Sequence, residues 1–223
     1  MRCMIRLSAY GRNPSVGVFA QANDRMAFVP HSAPEGFKED IREALHVEVH
    51  ETSVADIALI GAMAALNNHG IVLPYNVTEA ELASFRELDI KVGVIDDRHT
   101  ALGNLVLAND EGAVVSTLFT AKARREIGDT LDVEVEALAP QGFKTVGSIG
   151  RATSRGAVLH AALSEEDLMD IERLLKVEVD IGTVNRGVGY IRTGLVANSK
   201  GAVIGKDTTS PEIARIEDVL GLL

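Results

Sequence analysis

The sequence predicts an α+β protein in which five similar units close into one ring. This is a five-bladed α/β propeller with fivefold pseudo-symmetry, with strands inside and helices outside. Three observations predict it. Sequence anchors recur about every 44 residues, each unit repeats the same order of strand and helix signals, and the last unit lacks a strand that the N-terminal segment can supply. Self-similarity at such a period is typical of repeat architectures.

Three anchors define the repeat. The first is an apolar residue followed by glycine, with copies 44, 42, 44 and 42 residues apart at Val16-Gly17, Ile60-Gly61, Leu102-Gly103, Val146-Gly147 and Val188-Gly189. The second lies six residues after the first four glycines and, after a three-residue insertion, in the fifth unit; its residues are Asn23, Asn67, Asn109, Thr153 and Asn198. The third is a leucine followed by alternating β-formers, at Leu45, Leu88, Leu131, Leu175 and Leu220.

The anchors also predict the elements of each unit. Asn-x-x-Gly between two apolar stretches predicts a β-hairpin with a tight turn, because both residues tolerate positive φ. Thr78-x-x-Glu81 and Ser164-x-x-Asp167 are capping boxes, and Ser210-Pro211 places an N-cap before a proline, so each predicts a helix start. The alternation from Leu45 to Val49 predicts a half-buried strand. Each unit thus reads strand–turn–strand–helix–strand.

The chain ends predict how the ring closes. The fifth unit stops at Leu223, inside its third anchor, whereas the segment from Met1 to Gly17 has the missing length and contains a potential strand at residues 4–7. Closing the ring with both termini removes the exposed sheet edges of an open array. We expect one domain, residues 1–223, with units at about 17–60, 61–102, 103–146, 147–188 and 189–223, the last closed by residues 1–16.

Composition limits the classes of function. A net charge of −10, from 32 acidic and 22 basic residues, argues against a protein that coats DNA or RNA through phosphates. The single cysteine, Cys3, cannot form an internal disulfide, which favours a reducing, cytoplasmic location. No apolar run is long enough for a signal peptide or a membrane helix, so we expect no membrane association.

Motifs along the whole chain, densest after residue 100, carry a resemblance to a known family. They are Thr100-Ala101-Leu102-Gly103-Asn104, Ala108-Asn109-Asp110, 131–135, Thr145-Val146-Gly147-Ser148, Gly182-Thr183-Val184-Asn185-Arg186-Gly187, 197–202, 207–212 and 216–222. With these motifs, the chain resembles the pentein fold and, within it, the archaeal type of the translation initiation factor 6 family. Residues 1–50 fit this family more loosely.

The resemblance implies a function and partners. Members of that family bind the large ribosomal subunit on its intersubunit face, near the sarcin–ricin loop of the rRNA and against an L14-type ribosomal protein. They sterically prevent association with the small subunit. The resemblance implies a monomer without a cofactor, and a ribosome-facing surface at the end of the ring that holds the glycine anchors. The candidate ribosome-binding residues are Gly17, Asn104, Ser148, Asn185 and Arg186, with Gly17 needed as backbone.

Two alternatives remain open. Pentein-fold enzymes modify guanidines with a thiolate, a histidine and carboxylates, and they place the thiolate near the C-terminal end, whereas the thiol here is Cys3. We therefore expect no enzyme and no catalytic residue. His46 and His50 lack a third ligand at a fixed spacing, so we expect both on the solvated side of a strand and no metal site. The other alternative is a ring-shaped binding module for a different protein partner.

Overall fold

The structure, a computed structural model, describes residues 4–222, and the fivefold α/β fold predicted from the repeat is confirmed within them. The strands are β1 (Met4–Ser8), β2 (Gln21–Ala22), β3 (Met26–Pro30), β4 (Glu48–Thr52), β5 (Ala65–Leu66), β6 (Gly70–Pro74), β7 (Lys91–Ile95), β8 (Val106–Ala108), β9 (Gly112–Ser116), β10 (Glu134–Leu138), β11 (Gly150–Ala152), β12 (Gly156–His160), β13 (Glu178–Gly182), β14 (Leu195–Ala197) and β15 (Gly201–Gly205). The helices are α1 (Val16–Phe19), α2 (Glu35–Leu45), α3 (Ile60–Met63), α4 (Glu79–Arg86), α5 (Leu102–Leu105), α6 (Ala121–Leu131), α7 (Glu165–Leu175), α8 (Ile191–Gly194) and α9 (Ser210–Val219).

Five three-stranded sheets stand around the centre. In each sheet a short inner strand pairs antiparallel with a middle strand, which pairs in parallel with an outer strand. The inner strands β2, β5, β8, β11 and β14 contact one another in a closed cycle and surround the space that we call the channel. In the fifth sheet the outer strand is β1, with Met4 opposite Gly201 and Ser8 opposite Gly205.

This topology gives the ring two different faces. Middle and outer strands are parallel, so the loops that follow them lie at the same end of the ring, together with the segments that lead into the inner strands. We call this end the loop face. The hairpin turns and the turns that lead from the long helices into the outer strands lie at the opposite end, the turn face.

The long helices α2, α4, α6, α7 and α9 form an outer wall. Most seal a seam between sheets: α2 packs on β1 and β15, α6 on β6 and β7, α7 on β9, and α9 on β12 and β13, each a sheet of the preceding unit. At the seam under α4, Phe28 of the first unit meets Phe85 of the second, with ring centroids 5.2 Å apart. The core is therefore divided into five clusters that join neighbouring units.

The glycine anchor belongs to an element that the sequence pattern does not predict. Gly17, Gly61 and Gly103 lie in the four-residue helices α1, α3 and α5, and Gly147 lies in a turn; the fifth unit has the corresponding short helix α8. These short helices pack on one another: α1 contacts α3 and α8, and α3 contacts α5. A Cβ on Gly61 would overlap the carbonyl oxygen of Gly17, and one on Gly103 would overlap that of Gly61. The anchor is therefore glycine because backbone meets backbone there.

The predicted position of the fifth anchor is wrong by three residues. A Cβ on Gly17 would overlap the carbonyl oxygen of Arg192, so Arg192, not Gly189, takes the fifth place in the cycle. The three-residue insertion accordingly lies before the anchor, in the loop of residues 183–190. The pattern of an apolar residue followed by glycine predicts Gly189 here, whereas this unit places an arginine side chain at the centre.

Two predicted boundaries also differ. In three units the third-anchor leucine ends the long helix, and the next residue is a left-handed C-cap with φ 52°, 54° and 53° at His46, Asp132 and Lys176. The outer strand therefore starts at Glu48, not Leu45, and His46 lies outside it with a buried Nε2. The N-cap of the last helix is Thr209, not Ser210. The capping boxes at Thr78 and Ser164 are confirmed.

We predict that Gly61→Ala destabilises the protein by about 3 kcal/mol, because the added methyl must push apart two backbones at the centre of the ring. Gly36→Ala is the matched control. Gly36 lies in α2, and nothing is within 4 Å of an added Cβ there, so this change should be neutral or stabilise by up to about 1 kcal/mol. Urea unfolding of both variants measures the difference. Equal effects would contradict the close central packing.

Candidate functional site

At the turn-face end of the channel, the asparagines of the second anchor link the units in series. Each Oδ1 accepts backbone N–H groups two and three residues further on and so shapes its own turn. The turns occur where the sequence predicts them, but none of these asparagines has the positive φ on which that prediction rests. Each Nδ2 donates to a carbonyl oxygen of the next unit. The distances from Nδ2 to the carbonyl oxygen are 3.0 Å from Asn198 to Asn23, 3.0 Å from Asn23 to Asn67, 3.0 Å from Asn67 to Asn109 and 3.2 Å from Asn109 to Thr153.

The fourth unit breaks this circle, because Thr153 has no amide to donate. Arg151, two residues earlier on β11, makes the missing connection and is only 6% exposed. Its Nε donates to the carbonyl oxygen of Ala197 (3.2 Å), its Nη1 to Oε1 of Gln21 (2.7 Å) and its Nη2 to the carbonyl oxygen of Ala22 (2.8 Å). One side chain thus ties the fourth unit to the fifth and the first.

Arg192 fills the channel on the loop-face side and is 5% exposed. Its Nε donates to the carbonyl oxygen of Gly147 (2.6 Å) and its Nη2 to that of Val106 (3.1 Å). Burial lowers the pKa of Arg192 to about 9, with repulsion from Arg151 adding to it. Burial also lowers the pKa of Arg151 to about 10, opposed by Asp24. Both guanidinium groups therefore stay charged at neutral pH.

The two arginines leave little room in the channel. A small recess of about 30 Å³ lies at the turn-face mouth, lined by Arg151 and the second-anchor residues among others. That volume suits one or two waters, whereas small-molecule pockets measure hundreds of cubic ångströms. Within residues 4–222, no group of three or more His, Cys, Asp or Glu side chains is arranged to hold a metal.

The loop face carries the candidate ribosome-binding residues, but at different depths. Gly17 is buried in the cycle of short helices. Asn104 and Ser148 lie half-buried around the channel, where the carbonyl oxygen of Asn104 accepts the N–H groups of Gly147 (2.9 Å) and Ser148 (3.3 Å). Ser148 uses its hydroxyl locally, donating to the carbonyl oxygen of Thr145 (2.7 Å).

Asn185 and Arg186 are adjacent but face different surroundings. Asn185 donates through Nδ2 to the carbonyl oxygen of Pro14 (3.0 Å) and through its N–H to Oγ1 of Thr208 (3.0 Å), so it ties the loop after β13 to the fifth unit and to the N-terminal segment that completes that unit. Arg186 is exposed, with φ 64°. The structure therefore brings Asn104, Ser148 and Arg186 to one face, while Gly17 and Asn185 hold that face together.

A carboxylate at the start of α9 fixes the loop that presents Arg186. Glu212 accepts the N–H groups of Gly187 (2.8 Å) and Thr209 (2.7 Å) and the hydroxyl of Thr183 (2.8 Å). Partial burial raises the pKa of Glu212, but these hydrogen bonds outweigh it and lower the pKa to about 2. Glu81 repeats the arrangement at the start of α4, where it accepts the N–H of Ala55 (2.9 Å).

Charge is distributed unevenly between the loop face and the outer wall. Five exposed cations of the loop face make no side-chain hydrogen bond or ion pair to any of residues 4–222: Arg12, Arg98, Lys144, Arg186 and Lys206. The long helices hold 16 of the 32 acidic residues but only 8 of the 22 basic ones. Of these five, only Arg186 is a candidate from the sequence, because only the topology brings the other four to the same end.

Comparison with known proteins places this geometry in a family. The family model described as eIF-6 family matches residues 5–219. The chain belongs to the eIF-6 family. It is 40% identical over 220 residues to translation initiation factor 6 of Pyrococcus horikoshii, covering 96% of this chain and 97% of that protein. It is 38% identical over 218 residues to translation initiation factor 6 of Thermoplasma acidophilum, covering 97% of this chain and all of the other.

A more distant solved structure, a mutant of DDAH from Pseudomonas aeruginosa complexed with citrulline, aligns with a TM-score of 0.48 at 15% identity. It covers 75% of this chain and 68% of the other. That likeness is too remote to bear on the activity of this eIF-6 family member. Among the described residues, no helix is long and apolar enough to cross a membrane.

We predict that Asn109→Asp destabilises the protein by about 2–3 kcal/mol. The change keeps the turn-forming Oδ1 but puts an oxygen where Nδ2 now donates to the carbonyl oxygens of Thr153 (3.2 Å) and Leu175 (2.8 Å). Asn104→Asp, on the half-exposed loop face, should change the free energy of unfolding by less than about 0.5 kcal/mol. Similar losses in both variants would show that the amide links do not matter.

We predict that Glu212→Gln destabilises the protein by about 1–2 kcal/mol at neutral pH. Because the pKa is lowered on folding, this contribution is fully present above the ordinary pKa of 4.5 and is lost as the pH falls towards 2. The difference in unfolding free energy between wild type and variant should therefore be constant above about pH 5 and shrink below it. Glu166→Gln, an exposed change on α7, is the control and should change the free energy of unfolding by less than about 0.5 kcal/mol.

Proposed function

We propose that the protein is a translation factor that binds the large ribosomal subunit on its intersubunit face and sterically prevents association with the small subunit. The observation that carries this proposal is the match to the eIF-6 family over residues 5–219, with relatives named translation initiation factor 6 that are covered almost end to end. The role requires a rigid obstacle, and a ring whose units are tied through buried asparagine and arginine side chains is suited to it.

The loop face is the docking surface in this proposal. Its five cations form no ion pair with any of residues 4–222, so each can contact an RNA phosphate without first breaking such a pair. Around the channel, Asn104 and Ser148 offer polar groups at the centre of the same face. Gly17 and Asn185 act by holding the backbone that presents these groups.

The outer wall suits the protein component of the subunit. Its excess of acidic side chains is complementary to a basic ribosomal protein, here of the L14 type, and would speed encounter with it. The loop-face cations would then lie towards the rRNA near the sarcin–ricin loop. This arrangement needs no cofactor, no catalytic residue and no second copy of the chain, and we propose that the protein acts as a cytoplasmic monomer.

Sedimentation tests the proposal. Purified protein is mixed with large subunits alone, and with both subunits under conditions in which they associate. We expect it to travel with the large subunit, to reduce the fraction of joined particles and to be released as the salt concentration rises. Joined particles forming equally well, with the protein remaining at the top of the gradient, would overturn it.

We predict that Arg186→Glu and Asn104→Asp each weaken binding to the large subunit by about tenfold without unfolding the ring. For Arg186→Glu, the slope of log affinity against log salt concentration should also fall by about 1. Arg125→Glu is the control, because Arg125 is also exposed but lies on the outer-wall helix α6, where added negative charge should not weaken contact with a basic protein. If Arg125→Glu weakens binding and both loop-face changes do not, the docking surface is the outer wall.

A further inference from the structure

Three aromatic rings meet on the loop face around the end of β12. Phe143 lies in the loop after β10, His160 is the last residue of β12, and Tyr190 leads into α8. The ring centroids are 4.9 Å apart for Phe143 and His160, 5.5 Å for His160 and Tyr190, and 6.2 Å for Phe143 and Tyr190. We call these three rings the aromatic cluster. Each ring comes from a different segment of the chain, so the closed ring is what assembles the cluster.

The surrounding structure fixes the aromatic cluster in place. Nδ1 of His160 accepts the N–H of Ala162 (3.0 Å), which sets the orientation of the imidazole. A Cβ on Gly189 would lie 2.4 Å from Nε2 of His160, so the backbone before Tyr190 packs directly on that ring. The carbonyl oxygen of Tyr190 accepts the hydroxyl of Thr193 (2.7 Å). Gly189 is therefore glycine because it leaves room for His160.

Tyr190 is held in place but remains open to solvent. Its side of the cluster is 44% exposed. Its ring is nearly perpendicular to those of Phe143 (87°) and His160 (73°), which support it from within the cluster. A ring that its neighbours already hold loses little conformational freedom when a planar group stacks on it.

Two cations flank the aromatic cluster. Lys144 directly follows Phe143, and Arg186 precedes Tyr190 by four residues; both are exposed, and neither side chain forms an ion pair with any of residues 4–222. Neither the loop between β10 and β11 nor that between β13 and α8 contains Asp or Glu. The carboxylate of Glu212 approaches the second loop, but its oxygens already accept N–H groups of that loop. This sector of the loop face thus combines an aromatic surface with positive charge.

We propose that the aromatic cluster stacks one unpaired RNA base on Tyr190, while Lys144 and Arg186 contact the phosphates on either side of that base. Aromatic rings that take the base and cations that take the backbone are the usual means of binding unpaired nucleotides. A basic ribosomal protein would instead be repelled by the two cations. The inference rests on the proposed function, in which the loop face docks on rRNA, and it names the element of RNA that this sector takes.

A second tyrosine of the loop face lacks the flanking cations and provides a control. Tyr75 follows β6 and is 56% exposed. Its own loop, residues 75–78, contains no Lys or Arg. The loop of residues 53–59, which Glu81 ties to the same end of α4, has none either and holds Asp56. Tyr75 therefore offers exposure of an aromatic ring without positive charge beside it.

Binding to purified large ribosomal subunits tests the proposal. Tyr190→Phe keeps the ring and should bind within about twofold of the wild type, whereas Tyr190→Leu keeps only apolar bulk and should bind about tenfold more weakly. Tyr75→Leu should bind like the wild type. If the wild type binds and Tyr190→Leu binds equally well, the inference fails and the proposed function stands. Equal losses in Tyr190→Phe and Tyr190→Leu also overturn it, because the hydroxyl and not the ring would then matter.

Short RNA distinguishes a stacked base from a phosphate contact or a protein contact, and it does so without the ribosome. The chain has three tyrosines, so incorporation of 3-fluorotyrosine gives three fluorine resonances, which Tyr→Phe variants assign. We expect a short single-stranded oligouridylate to shift the resonance of Tyr190 and leave that of Tyr75 in place. An abasic oligomer with the same number of phosphates should shift the Tyr190 resonance less.

The remaining outcomes also decide the proposal. Equal shifts with the two oligomers would show contact with phosphate alone and overturn it. A Tyr190 resonance that oligouridylate does not move at millimolar concentration overturns it too, and a loss of subunit binding in Tyr190→Leu would then assign the cluster to a ribosomal protein. If Tyr190→Leu does not fold, the fluorine spectra of the otherwise unchanged protein still decide. A base-dependent shift in a protein that does not bind large subunits would contradict the proposed function and not the stacking.

Discussion

The close approach of backbones at the centre is the constraint on which the rest of the structure depends. Five anchor segments meet around one axis, and four of them carry glycine because the neighbouring carbonyl oxygen occupies the place of a side chain. This contact sets the radius of the ring. The radius in turn fixes how close the inner strands lie, and therefore whether a buried asparagine amide can reach the carbonyl oxygen of the next unit.

The sequence departs from the fivefold repeat at two anchor positions, and both lie at the centre of the ring. The fourth unit replaces the asparagine of the second anchor with Thr153, and the fifth replaces the anchor glycine with Arg192. In each case an arginine side chain in the channel restores contacts across the gap, through Arg151 to Ala197 and Ala22 and through Arg192 to Gly147 and Val106. A perfectly symmetric ring would have left the channel open, whereas these departures fill it with charge.

The two faces of the ring have different roles. The turn face carries the inter-unit asparagine links and so contributes to stability. The loop face carries loops held by capping carboxylates such as Glu212 and Glu81, which fix the backbone and leave exposed cations unpaired. A binding surface built from short, anchored loops loses little conformational freedom on docking, and this favours affinity without a large apolar patch.

By itself, the sequence determined the repeat, its period, the hairpins, the capped helices and the family, because each rests on local spacing or on motifs read along the chain. Only the tertiary structure decided that the glycine anchors are short helices in mutual contact, that Arg192 replaces the fifth glycine, and that His46 caps a helix and does not belong to a strand. It also gathered Arg12, Arg98, Lys144 and Lys206 beside Arg186. The reason is physical. These features depend on which residues of different units meet around the axis, and the distance between two residues across a closed ring cannot be predicted from their spacing along the chain.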